Sequence, residues 1–534
     1  MRHCDCHSGL DFSNLNKEKT PFMKKLTKFS VGVLVLALAI PAFAAKPEYV
    51  DGAYYVAFKG GASANDRASL KAQGMTIREE FAEANAIEIR TSNPHAAAAL
   101  AQNPRVEYVE PVPARYKMDL GTTQATPSLA NGLYGLLTTK ATTVHARNWI
   151  GTGIIVGVAD TQLDISHPDI AGNLNASTNC VQTNPCSGSG WQNDGETHAT
   201  HVSGTILGVN NSVGVKGVAY GAKLVHARVL GPSGGSTSDI MRGVTWCKDH
   251  GAKIVNLSLG GGLKSRTEEN FYNSMRNTYG VIVVAATGND GANKVSFPAG
   301  YAINVAVGAV DVNDVVASFS NKGQGIDITA PGVLVLSSVP AGTGHEANVT
   351  AGSEYRAFGL DFAGSTNGIS GNLVNCGIGN PGQCGAGISG NIALIQRGTL
   401  DFATKVTNAK NQGAVAAVIY NNAAGDFVGT LGAAGSWIPA VSVSDVTGAA
   451  LLAQASGTVV NKVSSWDHYD GTSMATPHAA GVFALLWAAN PTMTANAIET
   501  TIKNNCDDKG AAGYDTTYGY GRVNADKALI ATGK

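Results

Sequence analysis

Apolar positions change their spacing along the chain. Between Ala45 and about Tyr116, the stretches Tyr54–Phe58, Ala86–Ile89 and Val106–Val109 alternate in the manner of half-buried strands. Helical stretches near Ala64–Gln73 and Pro94–Gln102 separate them, which predicts a small α+β unit. From about Gly151 the apolar runs become near-continuous, at Ile154–Ala159, Leu224–Arg228, Ile254–Leu259, Val281–Ala286 and Ile303–Ala309. Helical segments near Thr237–His250 and Thr267–Gly280 lie between several of them. Continuous apolar strands joined by helices predict an α/β fold: a parallel sheet flanked by helices on both faces. Chemistry in such a sheet gathers beyond the carboxyl ends of the strands. Residues 341–464 interrupt this texture with Gly/Ser/Asn-rich sequence, short strands at Ile392–Ile395, Val415–Ile419 and Ile438–Val443, and a helix at Asp401–Gln412. Helix-forming sequence resumes afterwards, so 341–464 reads as a mostly β domain inserted into a loop of a unit spanning 117–340 and 465–534.

One run, Val31–Ile40, is apolar throughout, but it is too short to span a bilayer as a helix. Lys24, Lys25 and Lys28 precede it, and Pro41-Ala42-Phe43-Ala44-Ala45 follows. A basic start, a short apolar core and an Ala-x-Ala exit predict a secretory signal over 23–44, cleaved after Ala44. Residues 1–22 are polar and patternless and read as an upstream extension. The expected mature product is extracellular and leaves the membrane once the signal is cut.

Composition narrows the class. Lys+Arg number 38 against 39 Asp+Glu, a net charge of -1, so no basic field points to nucleic acid. Charged residues make up only 14% while glycine reaches 65, which excludes a disordered chain or a coiled coil. Cys4 and Cys6 precede the signal; Cys180, Cys186, Cys247, Cys376, Cys384 and Cys506 remain. An even number in an exported chain predicts disulfides. The close pairs Cys180/Cys186 and Cys376/Cys384 in Gly/Ser/Asn-rich loops are the first expectation, leaving Cys247 with Cys506 by subtraction.

Three stretches carry chemistry. Val156–Asp160 is an apolar strand ending in a carboxylate, and a buried charge there requires a hydrogen-bonded partner; a turn or helix cap is the alternative role for Asp160. In Glu196–Gly204, His198 and His201 share a helix face. Zinc is weakened by the lack of an intervening Glu and of a third ligand. In Gly471–His478, Ser473 precedes the apolar helix Ala479–Ala489, with Pro477 expected in a first turn. There the unpaired N–H groups and the helix dipole favour a developing anion; a simple N-cap is the alternative.

Asp160, His198 and Ser473 stand in the chain order of the subtilisin triad. With Gly-Thr-Ser-Met-Ala-Thr-Pro-His at 471–478, His-Ala-Thr-His-Val-Ser-Gly at 198–204, Val-Asn-Leu-Ser-Leu-Gly-Gly at 255–261 and Ala-Ala-Thr-Gly-Asn at 285–289, the chain resembles the subtilisin-like serine proteases from about Tyr134 to Asp526, apart from the insert. The resemblance implies a serine endopeptidase of broad preference, made as a zymogen and needing no cofactor for catalysis. It implies an oxyanion hole formed by Asn289 and the Ser473 N–H. It also implies an extended substrate paired with Ser258-Leu259-Gly260 and with Ser233-Gly234-Gly235-Ser236. Residues 45–116 resemble an inhibitory propeptide, an intramolecular partner released by cleavage between about Arg115 and Leu129. The insert, with Asn391–Gly398 and Ala416–Asn421, resembles a protease-associated domain. A structural calcium ion is implied at Asp169, Asn211 and the carbonyls of Val209, Val213 and Val215, with Ala130 where the family often has glutamine. Gln162, where the family has Gly, and Ala199, in place of the Gly of His-Gly-Thr-His, depart from the pattern. They motivate two other readings: tuning of the cleft, or a catalytically silent secreted binding protein.

Overall fold

The computed structural model describes residues 46–118, 120 and 133–534. The expected extension, signal segment and Ala130 lie outside the described residues.

The core of the molecule is a seven-stranded sheet. In spatial order its strands are Ile328–Pro331, Val305–Val310, Ile282–Ala286, Ile254–Leu257, Ile155–Asp160, Lys223–Arg228 and Leu174–Asn179, with every neighbouring pair parallel. Alternate residues feed two apolar clusters. Val156, Ile254, Val284 and Val307 join the helix Thr472–Ala489, whereas Val255, Val283, Ala285 and Ala306 join the helices Thr237–Asp249 and Arg266–Asn277. Burial on both faces explains the near-continuous apolar runs, and the α/β reading holds.

Pro477 lies inside the helix Thr472–Ala489, well past its first turn, contrary to the sequence expectation. Proline has no N–H to offer the carbonyl four residues back, which belongs to Ser473. The Ser258 hydroxyl donates to that carbonyl instead, at 2.9 Å.

The N-terminal unit packs the antiparallel strands Tyr49–Phe58, Thr76–Phe81, Ala86–Arg90 and Val106–Lys117 against the helices Thr237–Asp249 and Arg266–Asn277. Several of its polar contacts fall on the starts of both helices. Tyr55 Oη lies 2.7 Å from Thr237 Oγ1, and the Glu110 carboxylate accepts from Thr267 N at 2.8 Å and Arg266 N at 3.0 Å. Glu110 thereby caps orphan N–H groups at the start of Arg266–Asn277 across the interface.

Residues 344–464 form their own eight-stranded sheet, mixed parallel and antiparallel. The chain leaves through Val335–Ser338 and returns through Trp466–Tyr469, and these two segments pair antiparallel. Adjacent exit and entry let a whole domain occupy one loop.

Cys180–Cys186 and Cys376–Cys384 are disulfides. The Cys247–Cys506 pairing is wrong: both are free, buried thiols. Cys247 belongs to the cluster on one face of the sheet and Cys506 to the cluster on the other, so the sheet itself separates them. Burial raises both thiols, Cys506 to about 12, leaving them inert small apolar groups.

Candidate active site

The site lies beyond the carboxyl ends of the central strands, where α/β sheets gather their chemistry. Asp160 closes its strand, and its Oδ1 accepts from Thr161 N at 2.6 Å and from His198 Nδ1 at 2.7 Å. His198 opens the helix His198–Leu207. Ser473 sits in the first turn of Thr472–Ala489, its hydroxyl donating to Ser258 O at 2.8 Å. Asp160, His198 and Ser473 are all fully buried with the N-terminal unit in place.

Asn289 follows the strand Ile282–Ala286. Its Oδ1 accepts from Thr472 N at 2.9 Å and from Thr472 Oγ1 at 2.8 Å, which fixes the carboxamide and aims Nδ2 outward. That Nδ2 donates to Met118 O at 2.8 Å, and Ser473 N donates to the same oxygen at 3.1 Å. One carbonyl oxygen of the N-terminal unit therefore occupies the point where the two donors converge.

The approach to that point is a three-stranded antiparallel ladder. Lys117 and Tyr116 pair with Leu259 and Gly260 on one side; Arg115 and Ala114 pair with Gly235 and Ser236 on the other. Met118 N donates to Ser258 O at 3.2 Å, and beyond the carbonyl Leu120 N donates to Asp470 O at 3.0 Å. At Gly260, an added Cβ would meet Met118 Cε at 2.8 Å and the Phe297 carbonyl oxygen at 2.9 Å, and the second of these, being backbone, favours glycine beside this side chain. Of the expected contact residues, Ser258, Leu259, Gly260 and Gly235 touch the segment through backbone, and Gly234 lies against it, where an added Cβ would meet Arg115 O at 2.6 Å. Ser233 is exposed in the turn closed by mutual Gly231 and Gly234 backbone bonds, off the ladder.

His201 is not brought together with His198 as a metal pair: its Nε2 lies 2.9 Å from Val335 O and its ring stacks on Tyr469. Among the described residues no group of three or more His, Cys, Asp or Glu side chains is arranged to hold a metal. At the expected calcium loop, Asp169 Oδ2 accepts from Trp466 Nε1 at 2.6 Å, Ser338 Oγ at 2.9 Å and Val215 N at 3.0 Å. Asn211 turns Nδ2 toward Asp169, and its Oδ1 accepts from Val213 N at 3.0 Å. A carboxylate oxygen ringed by three donors, with the amide nitrogen facing it, does not fit a calcium ion, which needs converging oxygens.

Gln162 is buried and does not project into the cleft. Its Nε2 donates to Glu196 O at 2.9 Å, and its Oε1 accepts from Asp194 N at 3.0 Å and Gln192 N at 3.1 Å, tying down the loop that leads into His198. Ala199 packs in the core, its N–H donating to Thr161 Oγ1 at 3.0 Å. Sequence reasoning missed Thr472 as the anchor of Asn289 and Met118 as the residue at the donors. The only available signal for Met118 was its place just after the last strand of the N-terminal unit.

The Subtilase family matches residues 151–368 and 433–521, the PA domain matches 369–451, and the Fervidolysin N-terminal prodomain matches 39–111. An alkaline protease of Alkalihalobacillus alcalophilus is 38% identical over 293 residues, 54% of this chain and 72% of that protein. The psychrophilic subtilisin-like protease Apa1 from the Antarctic psychrotroph Pseudoalteromonas sp. AS-11 is 30% identical, with TM-score 0.59 over 74% of this chain and 96% of that one. Fervidolysin from Fervidobacterium pennivorans, at 23% identity, shares the fold with TM-score 0.60, covering 90% of this chain and 61% of that one. The chain belongs to the subtilase family: it is a subtilisin-like serine endopeptidase carrying a prodomain and a PA domain.

Proposed function

We propose that this chain is an exported zymogen that hydrolyses protein substrates through an acyl-enzyme on Ser473 and frees itself by cutting the bond between Met118 and Asp119. The observation that carries the reading is the Met118 carbonyl, held by Asn289 Nδ2 and Ser473 N at the end of an extended ladder. Donors converging on one carbonyl oxygen are what a developing oxyanion needs. The prodomain, bound through the same edges, acts as an intramolecular inhibitor until it leaves.

The residue types dictate the steps. The Ser473 hydroxyl, a weak nucleophile at its own pKa, turns from Ser258 O and gives its proton to His198 as Oγ attacks the carbonyl carbon. The bond from His198 Nδ1 to Asp160 leaves Nε2 as the basic nitrogen, and the carboxylate stabilises the imidazolium that forms. Charge developing on the carbonyl oxygen meets Asn289 Nδ2 and Ser473 N. His198 then returns the proton to the leaving amine, the acyl bond to Ser473 Oγ remains, and water completes the hydrolysis by the same relay in reverse.

Export rests on the segment 23–44 and on disulfides closing two loops; among the described residues no helix is long and apolar enough to cross a membrane. The Asp169 loop acts as a hydrogen-bonded knot joining the 209–215 loop to Trp466 at the insert boundary. Calcium has no part in this reading.

Intact mass and N-terminal sequencing test the proposal. The secreted wild-type enzyme should begin at Asp119, and the Ser473→Ala chain should stay joined to its prodomain. A pure Ser473→Ala chain that cuts itself at the same bond would overturn it.

A further inference from the structure

Counting back from the Met118 carbonyl, the fourth residue before the bond to be cut is Arg115. Its side chain is the largest fully buried one in the chain's described part. Nη2 donates to Glu268 Oε2 at 2.5 Å and to Leu263 O at 2.9 Å, and both members of the ion pair have zero exposure. Another interface pair, Arg242–Glu79, retains 6% and 11%.

Arg115 and Glu268 belong to different parts of the zymogen. Arg115 lies on the prodomain side of the bond after Met118, so it departs with the prodomain. Glu268 stays, built into the catalytic unit. It sits in the first turn of Arg266–Asn277, after the N-cap Ser265, where the helix start favours an anion. Tyr301 Oη lies 2.8 Å from Glu268 Oε2 and 3.0 Å from Ser265 O, and it accepts from Ser265 N at 2.9 Å. At Gly261, an added Cβ would fall 3.3 Å from Arg115 Nη1 and 3.0 Å from Ala114 O, so the wall is open only because the residue is glycine.

We infer that Glu268, Tyr301, Leu263 O and Gly261 form a specificity pocket for an arginine side chain four residues before the cleaved bond, in protein substrates as well as in the prodomain. A substrate pairing with Leu259, Gly260 and Gly235 runs through the register that Arg115 occupies, and its fourth residue then points into this pocket. A buried carboxylate without a counter-ion is costly, and an arginine offsets that cost where leucine does not. Nη2 serves the carboxylate and the Leu263 carbonyl while Nη1 donates to Ala114 O at 3.2 Å, a planar fork that the single ammonium of lysine does not reproduce. A second acidic group, Glu196, lies 2.7 Å from Lys117 Nζ, two residues before the bond. That pair is partly solvated, with exposures of 34% and 12%, so its share of the preference is smaller.

The inference rests on the proteolytic reading of Ser473, and the experiment separates the two. The mature wild-type enzyme is titrated with a fluorophosphonate and assayed on two quenched peptides, Arg-Tyr-Lys-Met and Leu-Tyr-Lys-Met ahead of one common tail, with products identified by mass spectrometry. The arginine peptide should be cut after Met with a kcat/KM higher by about 30-fold or more, the least expected when a buried charge loses its partner. In Glu268→Gln, normalised to titrated sites, that ratio should fall toward one. Equal wild-type rates on both peptides, a preference for leucine, or cleavage at another bond overturns the pocket while leaving the protease intact. An enzyme that neither labels nor cuts either peptide overturns both.

Discussion

Ser473 is held from two directions by one neighbour. Its hydroxyl donates to Ser258 O, and its carbonyl, denied a helical partner by Pro477, accepts from Ser258 Oγ. Ser258→Ala leaves that buried carbonyl unmet and should lower stability by about 1–3 kcal/mol in urea unfolding of the Ser473→Ala chain. Pro477→Ala restores an N–H four residues on, so the double variant should recover part of the loss; strict additivity would contradict the pairing. In the proposed mechanism Asn289 acts in the chemistry itself. Asn289→Ala should reduce kcat by about 10²–10³, a magnitude taken from the same donor in a subtilisin, with KM little changed. Unaltered kcat would remove Asn289 from the oxyanion site.

At the scale of elements, much was legible because two-sided burial leaves a plain mark. Strands such as Ile282–Ala286 are apolar at every position, and helices joining them force parallel pairing. The motifs at 198–204 and 471–478 pointed to the candidate site because small residues and a helix start leave few other solutions. What stayed hidden depends on the meeting of distant segments. Nothing near Glu268 in sequence announces Arg115, and nothing near Asp169 announces Trp466 Nε1. Cys247 and Cys506 failed for the same reason: subtraction cannot see the sheet between them. Denatured, unreduced mature enzyme should show two titratable thiols, and alkylation mapping should place both there. A peptide linking the two cysteines would contradict the separation. At the Asp169 loop, chelation should leave Tm unchanged in differential scanning calorimetry; a drop reversed by calcium would reinstate the ion.

For the whole molecule, buried neutral histidines tie stability to pH. Burial lowers His226 and His478 to about 4, each from an ordinary value near 6.5. His226 Nε2 donates to Thr161 O at 2.9 Å while Nδ1 accepts from Ser177 Oγ, an arrangement suited to the neutral ring. Between these pH values the unfolded chain binds more protons, so stability is full above about pH 6.5 and falls as pH drops toward 4. Asp467, raised by burial to about 7, titrates in the same window with the opposite sign, so the test is a difference. The Ser473→Ala chain should lose about 2 kcal/mol or more between pH 7 and pH 5 relative to the same chain carrying His226→Gln and His478→Gln, and identical profiles would contradict two neutral buried rings. Zymogen assembly follows the same economy of shared parts: the prodomain strand Val106–Lys117 uses the edges at Leu259–Gly260 and Gly235–Ser236 and leads Met118 to the two donors. The central claim is that Ser473, activated by His198, is the nucleophile at that point. The most direct test is to treat the processed enzyme with a fluorophosphonate and map the adduct by peptide mass spectrometry, alongside casein hydrolysis. The account predicts one adduct, on Ser473, abolished in His198→Ala together with casein cleavage. A fully processed enzyme that cuts casein yet carries no adduct on Ser473 would contradict it.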